Sequence, residues 1–287
     1  MTSAAIIGGY GGMGCLFAKV LKGNGWDVVI AGPRAEKGRS TAKGIGVGFE
    51  GDNKKAAKAA DIVIITVPIN KTVDVIREVA PVLKSGALLM DLTSVKKSPC
   101  ETMEKFAGKG VEVAGCHPVF GPMTSDFRNQ NFVFCSIRPG KRLAEFKKMI
   151  KKEGARITEC SPEEHDKAMG VIQGMTHFML ISAGMTMRDL GFDLQKTKEL
   201  SSPVYALVMD LVGRILGQDP RLYGEIQLNN PETKGVREAY MRACERLDRL
   251  IAKGDEEGFI KEMASAAEHF GDTKGALMRT QKLLKKV

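Results

Sequence analysis

Short apolar runs alternate with amphipathic stretches along the first half of the chain. This alternation is typical of βαβ units, which build a parallel sheet covered by helices. The predicted strands are residues 4–8, 27–31, 61–66, 87–91 and 111–116, with 132–136 and 155–158 extending the sheet. The first helix is predicted from Gly12 to about Gly23, directly after the first strand.

Only helical patterns follow Ser161, where the strand pattern stops. The predicted helices cover residues 162–189, 194–216, 232–252 and 255–285. The predicted fold class is therefore α/β, with an N-terminal doubly wound (Rossmann) parallel sheet in residues 1–160 and a C-terminal all-helical domain in residues 161–287. Amphipathic helices need partners for their apolar faces, so we expect the helical domain to form a homodimer.

Two helix starts carry a complete capping pattern. Ser98-Pro99-Cys100-Glu101 and Ser161-Pro162-Glu163-Glu164 each offer an N-cap serine and a proline at the first helical position. The glutamate at the third position completes a capping box. Both segments therefore predict helices that begin immediately after the serine.

The composition is that of an ordinary globular protein. Of 287 residues, 43% are hydrophobic and 27% are charged, and no apolar run approaches the roughly 20 residues of a membrane span. The N-terminus shows no signal-peptide pattern, so we expect a cytoplasmic protein without a membrane partner. The six cysteines are scattered without a C-x-x-C pair, which favours reduced thiols and predicts no metal site.

A net charge of +9 raises the question of nucleic-acid binding. The basic residues are dispersed among acidic ones, and the densest group, Lys282 with Lys285 and Lys286, lies at the C-terminus. Neither a recognised motif nor interleaved aromatic residues accompany the charge. We therefore expect no nucleic-acid partner, and interpret the charge as a solvated surface that also attracts anionic ligands.

A glycine-rich turn joins the first strand to the first helix. Gly9-Tyr10-Gly11-Gly12-Met13-Gly14 fits G-x-G-x-x-G, in which the glycines allow a tight turn, a close approach to a pyrophosphate, and helix–strand packing. Such turns also occur for steric reasons alone, but the strand before and the helix after favour dinucleotide binding. The predicted cofactor-binding residues are Gly9, Gly11, Gly12, Met13, Gly14, Arg34 and Pro68.

The end of the second strand bears on the choice of cofactor. NAD enzymes usually carry an acidic residue there for the ribose 2′-hydroxyl. This chain has Ala31-Gly32-Pro33-Arg34 instead, and the Arg34 guanidinium can bind a 2′-phosphate through two donors. We therefore expect NADP, with NAD as the alternative. A solvated basic helix start is the plainer explanation of Arg34.

A histidine follows the fifth predicted strand, in His117-Pro118-Val119-Phe120-Gly121-Pro122. Ligands of doubly wound sheets lie outside the carboxyl ends of the strands, where an imidazole can accept a proton near neutral pH. Ser94 and Lys96 follow the fourth strand, and can offer a hydroxyl and a positive charge to a small-molecule substrate. The alternative is a strand end that simply leads into a capped helix.

The helical half holds three further candidates for substrate binding. Gln173 and His177 are four residues apart, so they share a face of the predicted helix, although a histidine there is more often a core residue. Arg214 lies among apolar neighbours, and a buried arginine needs an anionic partner. That partner is either an internal acid or a bound carboxylate.

These features together resemble the prephenate dehydrogenase family of tyrosine biosynthesis, most closely the dehydrogenase part of the bifunctional chorismate mutase–prephenate dehydrogenases. The resemblance covers nearly the whole chain. It is carried by residues 6–14, His117–Pro122, Ile172–Phe178, Leu200–Tyr205, Val212–Arg214, Gln218–Tyr223 and Glu268–Asp272. The cofactor turn is shared with many dehydrogenases, whereas the motifs of the helical half are not.

The resemblance implies an NAD(P)-dependent oxidative decarboxylation of prephenate to 4-hydroxyphenylpyruvate, without a metal. It implies that His117 binds the C4 hydroxyl and takes its proton, with Ser94 orienting the histidine. Arg214 would bind a substrate carboxylate and His177 would line the pocket. One position that is basic in some relatives is Ala206 here, which removes one possible anion contact.

Three other functions remain open from the sequence. The first is arogenate dehydrogenase, whose substrate differs from prephenate only in an amino group that replaces the side-chain keto oxygen. A generic NADP-dependent reductase could use the same architecture, but would not need both His117 and Arg214. A non-catalytic NADP-binding protein would need neither of these residues nor Ser94.

Overall fold

One mixed sheet forms the centre of the N-terminal half. The computed structural model describes residues 1–284, apart from the side chain of Lys198. Within that range the strands are β1 Ser3–Ile7, β2 Asp27–Ala31, β3 Gly48–Glu50, β4 Ile62–Ile65, β5 Leu88–Asp91, β6 Glu112–Pro118, β7 Asn131–Arg138 and β8 Arg156–Glu159. Their order in the sheet is β3-β2-β1-β4-β5-β6-β7-β8.

The first six strands are parallel, as a doubly wound fold requires, and the predicted fold class is confirmed. β7 pairs antiparallel with β6, and β8 pairs parallel with β7, so the last two strands run against the other six. The short strand β3 was not predicted, because three residues, only one of them apolar, give no periodic signal.

Helices cover the sheet and make up the rest of the chain. They are α1 Gly12–Gly23, α2 Ala35–Ile45, α3 Asn53–Ala59, α4 Ile69–Val79, α5 Lys97–Phe106, α6 Lys141–Lys152, α7 Pro162–Met169, α8 Thr176–Asp189, α9 Leu194–Lys198, α10 Pro203–Leu216, α11 Pro220–Asn229, α12 Thr233–Ala252, α13 Glu256–Phe270 and α14 Thr273–Leu284. A 3₁₀ turn spans Ala80–Val82, and a π-helix spans Gly170–Met175.

Two apolar layers hold the sheet, one on each face. Ala4 and Ile6 point into one layer, where Phe17 of α1 is fully buried. Ala5 and Ile7 point into the other layer, against α3, α4 and α5. Because both faces are covered, the central strands are continuous apolar runs rather than alternating ones, which is why the sequence predicts them so clearly.

The chain divides into two compact units that do not follow the chain order strictly. One unit contains Met1–Met169 and Gly224–Pro231, and the other contains Gly170–Tyr223 and Glu232–Val287. The boundary predicted after residue 160 therefore differs from this division in two respects. It places α7 in the helical half, and it does not assign residues 224–231 to the unit that contains the sheet.

Some helix predictions need correction. Ser98 lies inside α5, which begins at Lys97 without a side-chain cap, whereas the Ser161 capping box forms as predicted with Glu164. The predicted helix 194–216 breaks before Pro203, which occupies the first turn of α10. The helix predicted over 255–285 breaks at Gly271, where φ is 79°, and its end at residue 285 lies outside the described residues.

One helical stretch, Pro162–Asp189, is long and apolar enough to meet a length-and-composition criterion for a membrane span, with a mean hydropathy of 1.2. The expectation from the sequence refers to uninterrupted apolar runs, whereas this criterion averages hydropathy over a window of 18 residues. The core helix of a soluble protein meets the same criterion.

Candidate active site

The carboxyl ends of four adjacent strands bring the predicted N-terminal site residues to one edge of the sheet. β1 lies between β2 and β4, and β5 and β6 follow β4. The glycine turn follows β1, Pro68 follows β4, Ser94 follows β5, and His117 lies near the end of β6. The reversal of strand order beside β1 is where doubly wound folds bind their ligands.

The glycine turn is packed too closely for side chains. A Cβ on Gly14 would lie 2.5 Å from the Cα of Gly9, and one on Gly9 would lie 2.6 Å from the Cβ of Ile30. A Cβ on Gly12 would lie 2.8 Å from Pro122, in the histidine motif. Packing therefore requires glycine at positions 9, 12 and 14, whereas a Cβ on Gly11 would meet only the Gly8 oxygen at 3.4 Å.

The N-terminus of α1 is suited to a phosphate. Its N-cap is Gly11, which has no side chain to accept a hydrogen bond from the first turn. Met13 lies in this turn. The backbone N–H groups at a helix start bind anions when no side chain caps them, and the helix dipole adds to this attraction. The turn thus fits the pyrophosphate of a nicotinamide dinucleotide.

The end of β2 is shaped by Tyr10. Gly32 has a φ of +150°, and a Cβ there would lie 2.5 Å from the Tyr10 hydroxyl oxygen. Arg34 is exposed, and its backbone N–H donates to the same hydroxyl at 3.4 Å. The guanidinium of Arg34 therefore faces solvent at the edge where an adenosine ribose would bind.

The unpredicted strand β3 brings an acidic residue to this position. Glu50 pairs in register with Ala31, and its backbone oxygen accepts from the Gly32 N–H at 3.3 Å. Its Oε1 atom accepts a hydrogen bond from the Asp52 N–H at 2.9 Å. The tip of β2 carries no acid of its own, as predicted, but its neighbour does.

His117 is the first member of a buried hydrogen-bonded chain. Its Nδ1 atom lies 2.8 Å from Nε2 of His165, and Nδ1 of His165 lies 2.7 Å from Oδ1 of Asp166. All three residues are at most 2% exposed. Backbone N–H groups of Lys96 and Lys97 donate to the Asp166 carboxylate at 2.8 and 3.0 Å. We call these three residues the His117–His165–Asp166 chain.

The protonation states in this chain follow from its surroundings. Burial alone would raise the pKa of Asp166, but the hydrogen bonds from His165 and from two backbone N–H groups lower it below its usual range. Burial lowers the pKa of His117 well below 6.5, and the neighbouring His165 and Lys96 lower it further. Burial also lowers the pKa of His165, against the opposing effect of Asp166.

These states fix which nitrogen of His117 is basic. An ionised Asp166 only accepts hydrogen bonds, so His165 carries its proton on Nδ1 and accepts at Nε2. His117 then donates from Nδ1, so Nε2 is the unprotonated, basic nitrogen of its ring. A neutral imidazole held in one tautomer by a carboxylate is the arrangement of a general base.

Lys96 differs from its predicted role. Its side chain is completely buried, forms an ion pair with Asp91, and donates to the backbone oxygen of Cys116 at 3.1 Å. The ammonium therefore neutralises an internal carboxylate, and its predicted contact with a substrate is corrected to a structural role. Burial alone would lower the pKa of Lys96, but Asp91 raises it above its ordinary value.

Ser94 is partly exposed beside this cluster. Within the described part of the chain, no hydrogen bond joins its hydroxyl to His117, whose Nδ1 faces His165 instead. The expected orientation of His117 by Ser94 is therefore replaced by orientation through His165. The Ser94 hydroxyl is left available for a ligand.

The candidates in the helical unit lie around a tyrosine. The His177 ring packs edge-on against Tyr223, with 4.6 Å between the centroids. Burial lowers the pKa of His177, and its Nδ1 atom has no hydrogen-bond partner among residues 1–284. Burial raises the pKa of Tyr223, although Arg214 and Gln218 oppose this effect.

Two expectations about this unit are corrected. Arg214 is exposed rather than buried, so no internal anion is required and its guanidinium is available for a ligand. Gln173 lies in the π-helix Gly170–Met175, which interrupts the continuous helix predicted over 162–189 before His177 in α8.

His165 and Asp166 are the functional residues that sequence reasoning missed. They are the fourth and fifth residues of α7, directly after Glu163 and Glu164. Because Glu163 and Glu164 explain a helix start by themselves, the sequence pattern does not single out the histidine and aspartate that follow them. The signal that could have indicated them is a pair of titratable residues on the predicted helix that directly follows the last predicted strand.

The sheet, the glycine turn and the buried base together define a dehydrogenase that uses a nicotinamide dinucleotide. Residues 17–159 match the family model "Prephenate dehydrogenase, nucleotide-binding domain", and residues 161–265 match "Prephenate dehydrogenase, dimerization domain". The chain belongs to the prephenate dehydrogenase family. The predicted family and enzyme class are thereby confirmed.

Three known proteins illustrate the relationship. A T-protein from Enterobacter agglomerans is 32% identical over 285 residues, which cover 98% of this chain and 71% of that protein. A "Probable arogenate/prephenate dehydrogenase" from Methanocaldococcus jannaschii is 43% identical over 270 residues, or 93% of this chain, which spans only 60% of that relative's length. The crystal structure of A. aeolicus prephenate dehydrogenase, in complex with hydroxyphenyl propionate and NAD⁺, has the same fold. The TM-score is 0.76 at 21% identity, and the match covers 94% and 97% of the two chains.

Proposed function

We propose that this protein catalyses the NAD(P)-dependent oxidative decarboxylation of prephenate to 4-hydroxyphenylpyruvate, a step of tyrosine biosynthesis. The His117–His165–Asp166 chain carries this proposal, because it provides a neutral, oriented base at the edge of the sheet that binds the cofactor. The family supplies the substrate class, because relatives are named for prephenate, arogenate or 4-amino-4-deoxyprephenate.

His117 handles the proton of the substrate. Its Nε2 atom takes the proton of the C4 hydroxyl as hydride leaves C4. The bound nicotinamide supplies the hydride acceptor. The ring carboxylate then leaves as carbon dioxide, the electron pair of its bond enters the ring, and the phenolic oxygen takes the proton back. His165 and Asp166 stabilise the transient imidazolium through the two hydrogen bonds already present.

The remaining residues bind the two ligands. Gly9, Gly11, Gly12, Met13 and Gly14 would hold the pyrophosphate at the start of α1, and Pro68, which follows β4, would border the cofactor. Ser94 contacts the substrate hydroxyl, and Arg214 pairs with a substrate carboxylate. NADP is the proposed cofactor because Arg34 is exposed beside a β2 tip without an acid, although NAD⁺ is present in the A. aeolicus structure.

The direct test is the appearance of reduced cofactor when the purified protein meets prephenate with NADP or NAD. Arogenate is assayed in parallel, because the name of the M. jannaschii relative includes both substrates. We expect turnover with prephenate and a preference for NADP. No reduced cofactor with either substrate would overturn the proposal, and turnover of arogenate alone would reassign the substrate.

A further inference from the structure

The 224–231 segment lies within the second half of the chain, yet it joins the unit that contains the sheet. Its side chains contact three elements that carry proposed site residues: the turn after β4, the loop after β5, and α7. None of these contacts was predicted, because each pairs residues far apart in the sequence. The segment therefore connects parts of the site that the sheet alone does not hold together.

The first contact is at the start of α4. The Glu225 carboxylate accepts a hydrogen bond from the Ile69 N–H, with 2.8 Å between Oε2 and the nitrogen. The helix has no other side-chain cap, since its N-cap is Pro68. A carboxylate at a helix N-terminus satisfies an unpaired N–H and interacts favourably with the dipole. Glu225 thus fixes the turn that contains Pro68.

The second contact is apolar. Ile226, Ile69 and Val95 form a small buried cluster, each at most 8% exposed. Val95 lies between Ser94 and Lys96, in the loop after β5. One isoleucine therefore packs against both the loop that carries Ser94 and the helix start that follows Pro68.

The third contact is at the base of the His117–His165–Asp166 chain. Asn230 is 3% exposed, and its Nδ2 donates to the backbone oxygen of Asp166 at 2.9 Å. That oxygen lies on α7, just before the helix changes to the π form at Gly170. A hydrogen bond at this junction fixes the backbone from which the Asp166 carboxylate reaches His165.

We infer that the 224–231 segment positions the active site, with Glu225 serving the cofactor and Asn230 serving the base. Neither residue is proposed to touch the reacting atoms. The Asn230 arm rests on the proposed function, because its effect is measured through turnover. The Glu225 arm requires only that the protein binds a nicotinamide cofactor.

The Glu225 arm is tested by cofactor titration without substrate. In Glu225→Ala we expect Kd to rise about threefold to thirtyfold, the change that a lost helix cap of ordinary strength produces. Glu225→Gln retains an acceptor for the Ile69 N–H and should recover most of the affinity. Leu228→Ala is the matched control, because Leu228 lies in the same segment and is 84% exposed.

The Asn230 arm is tested by turnover and its pH profile. In Asn230→Ala we expect kcat to fall about tenfold, less than the roughly 10²- to 10⁴-fold effect of losing the base itself, because His117 is still present. The acidic limb of the profile should also move, while the cofactor Kd stays unchanged. The melting temperature of each variant is recorded, because a merely structural defect would alter both readouts together.

Two outcomes would overturn the inference. The first is that Glu225→Ala and Asn230→Ala match Leu228→Ala in cofactor affinity and turnover. The second is that both variants lose affinity and turnover in the same proportion as they lose stability. If no substrate is turned over by the wild type, the proposed function fails, but the Glu225 titration still decides the cofactor arm.

Discussion

Single residues decide the chemistry of this protein, and the environment of each matters more than its type. In the proposed mechanism His117 acts as the base, because burial keeps it neutral and His165 fixes its tautomer. The same burial makes Lys96 a structural residue, because its ammonium must be neutralised by Asp91. The sequence identifies both residues, but only the fold separates their roles.

Replacement of His117 by Asn should remove proton transfer and leave cofactor binding intact. The amide can still donate to His165, so the fold of β6 is preserved. We expect kcat to fall about 10²- to 10⁴-fold, the usual effect of losing a general base. Steady-state rates with prephenate and a cofactor titration measure the two effects. Near-normal turnover in His117→Asn would contradict the assignment.

Replacement of Arg34 by Ala should weaken NADP and leave NAD nearly unchanged. An exposed charge-assisted contact to a 2′-phosphate is worth about 1.5 kcal/mol, or roughly tenfold in Kd. Titration of the wild type and the variant with both cofactors measures the change in Kd. The control is Lys109→Ala, an exposed lysine that precedes β6 at the opposite edge of the sheet.

An acidic substitution at Gly32 is a less clear test of cofactor preference than its position at the tip of β2 indicates. An aspartate there would introduce an acid at the tip of β2, but Gly32 has a φ of +150° and its Cβ would collide with Tyr10. Such a variant would combine strain with any change in cofactor preference.

An equal loss of affinity for both cofactors in Arg34→Ala would contradict the prediction for Arg34, and would show that it is a solvated surface residue.

At the scale of elements, predictions succeed where one local signal is sufficient. The strands buried on both faces and the glycine turn are continuous in the sequence, so they are predicted almost residue by residue. The π-helix at Gly170–Met175, the strand β3 and the contacts of the 224–231 segment depend on residues distant in the sequence. The periodicity of a single segment does not indicate contacts with distant residues, so the sequence does not predict these features.

Helix α1 offers a direct test of close packing. In Gly14→Ala the new Cβ would lie 2.5 Å from the Gly9 Cα, which cannot yield as a side chain can. We expect α1 to move away from β1, with lower stability and a clearly higher cofactor Kd. In Gly23→Ala, at the other end of the same helix, the Cβ would meet no atom within 4 Å. That control should keep its affinity and gain up to about 1 kcal/mol of stability.

At the scale of the whole molecule, the buried histidines make stability depend on pH. His117, His165 and His177 all have pKa values below 6.5 in the fold. In the unfolded chain they titrate near the ordinary value, so below pH 6.5 the unfolded state binds more protons. The free energy of unfolding should therefore fall as pH drops, by up to about 1.4 kcal/mol per pH unit for each histidine.

Denaturant unfolding at a series of pH values and fixed protein concentration measures this slope. His177→Gln should reduce this slope, because it removes the one of these three histidines that lies outside the His117–His165–Asp166 chain. A free energy of unfolding that stays constant below pH 6.5 would show that these histidines are protonated in the folded protein.

The helical unit carries exposed apolar side chains that fit the proposed homodimer. On α10, Val204, Val208 and Leu211 share one face and are 40–49% exposed. We expect light scattering to give twice the chain mass of 31.1 kDa, and Val208→Asp to lower it. Leu228→Asp, outside that unit, should leave the mass unchanged. A wild-type mass of one chain would contradict the dimer.

The interrupted course of the chain limits how this protein can be divided. A fragment that ends at Met169 contains every strand, but it lacks the 224–231 segment and would expose Ile69 and Val95. Such a fragment should bind cofactor poorly or aggregate, although it looks like a complete nucleotide-binding module. An exchange of the nucleotide-binding unit between relatives would therefore have to transfer residues 1–169 and 224–231 together. A fused domain would be best tolerated outside both of these ranges.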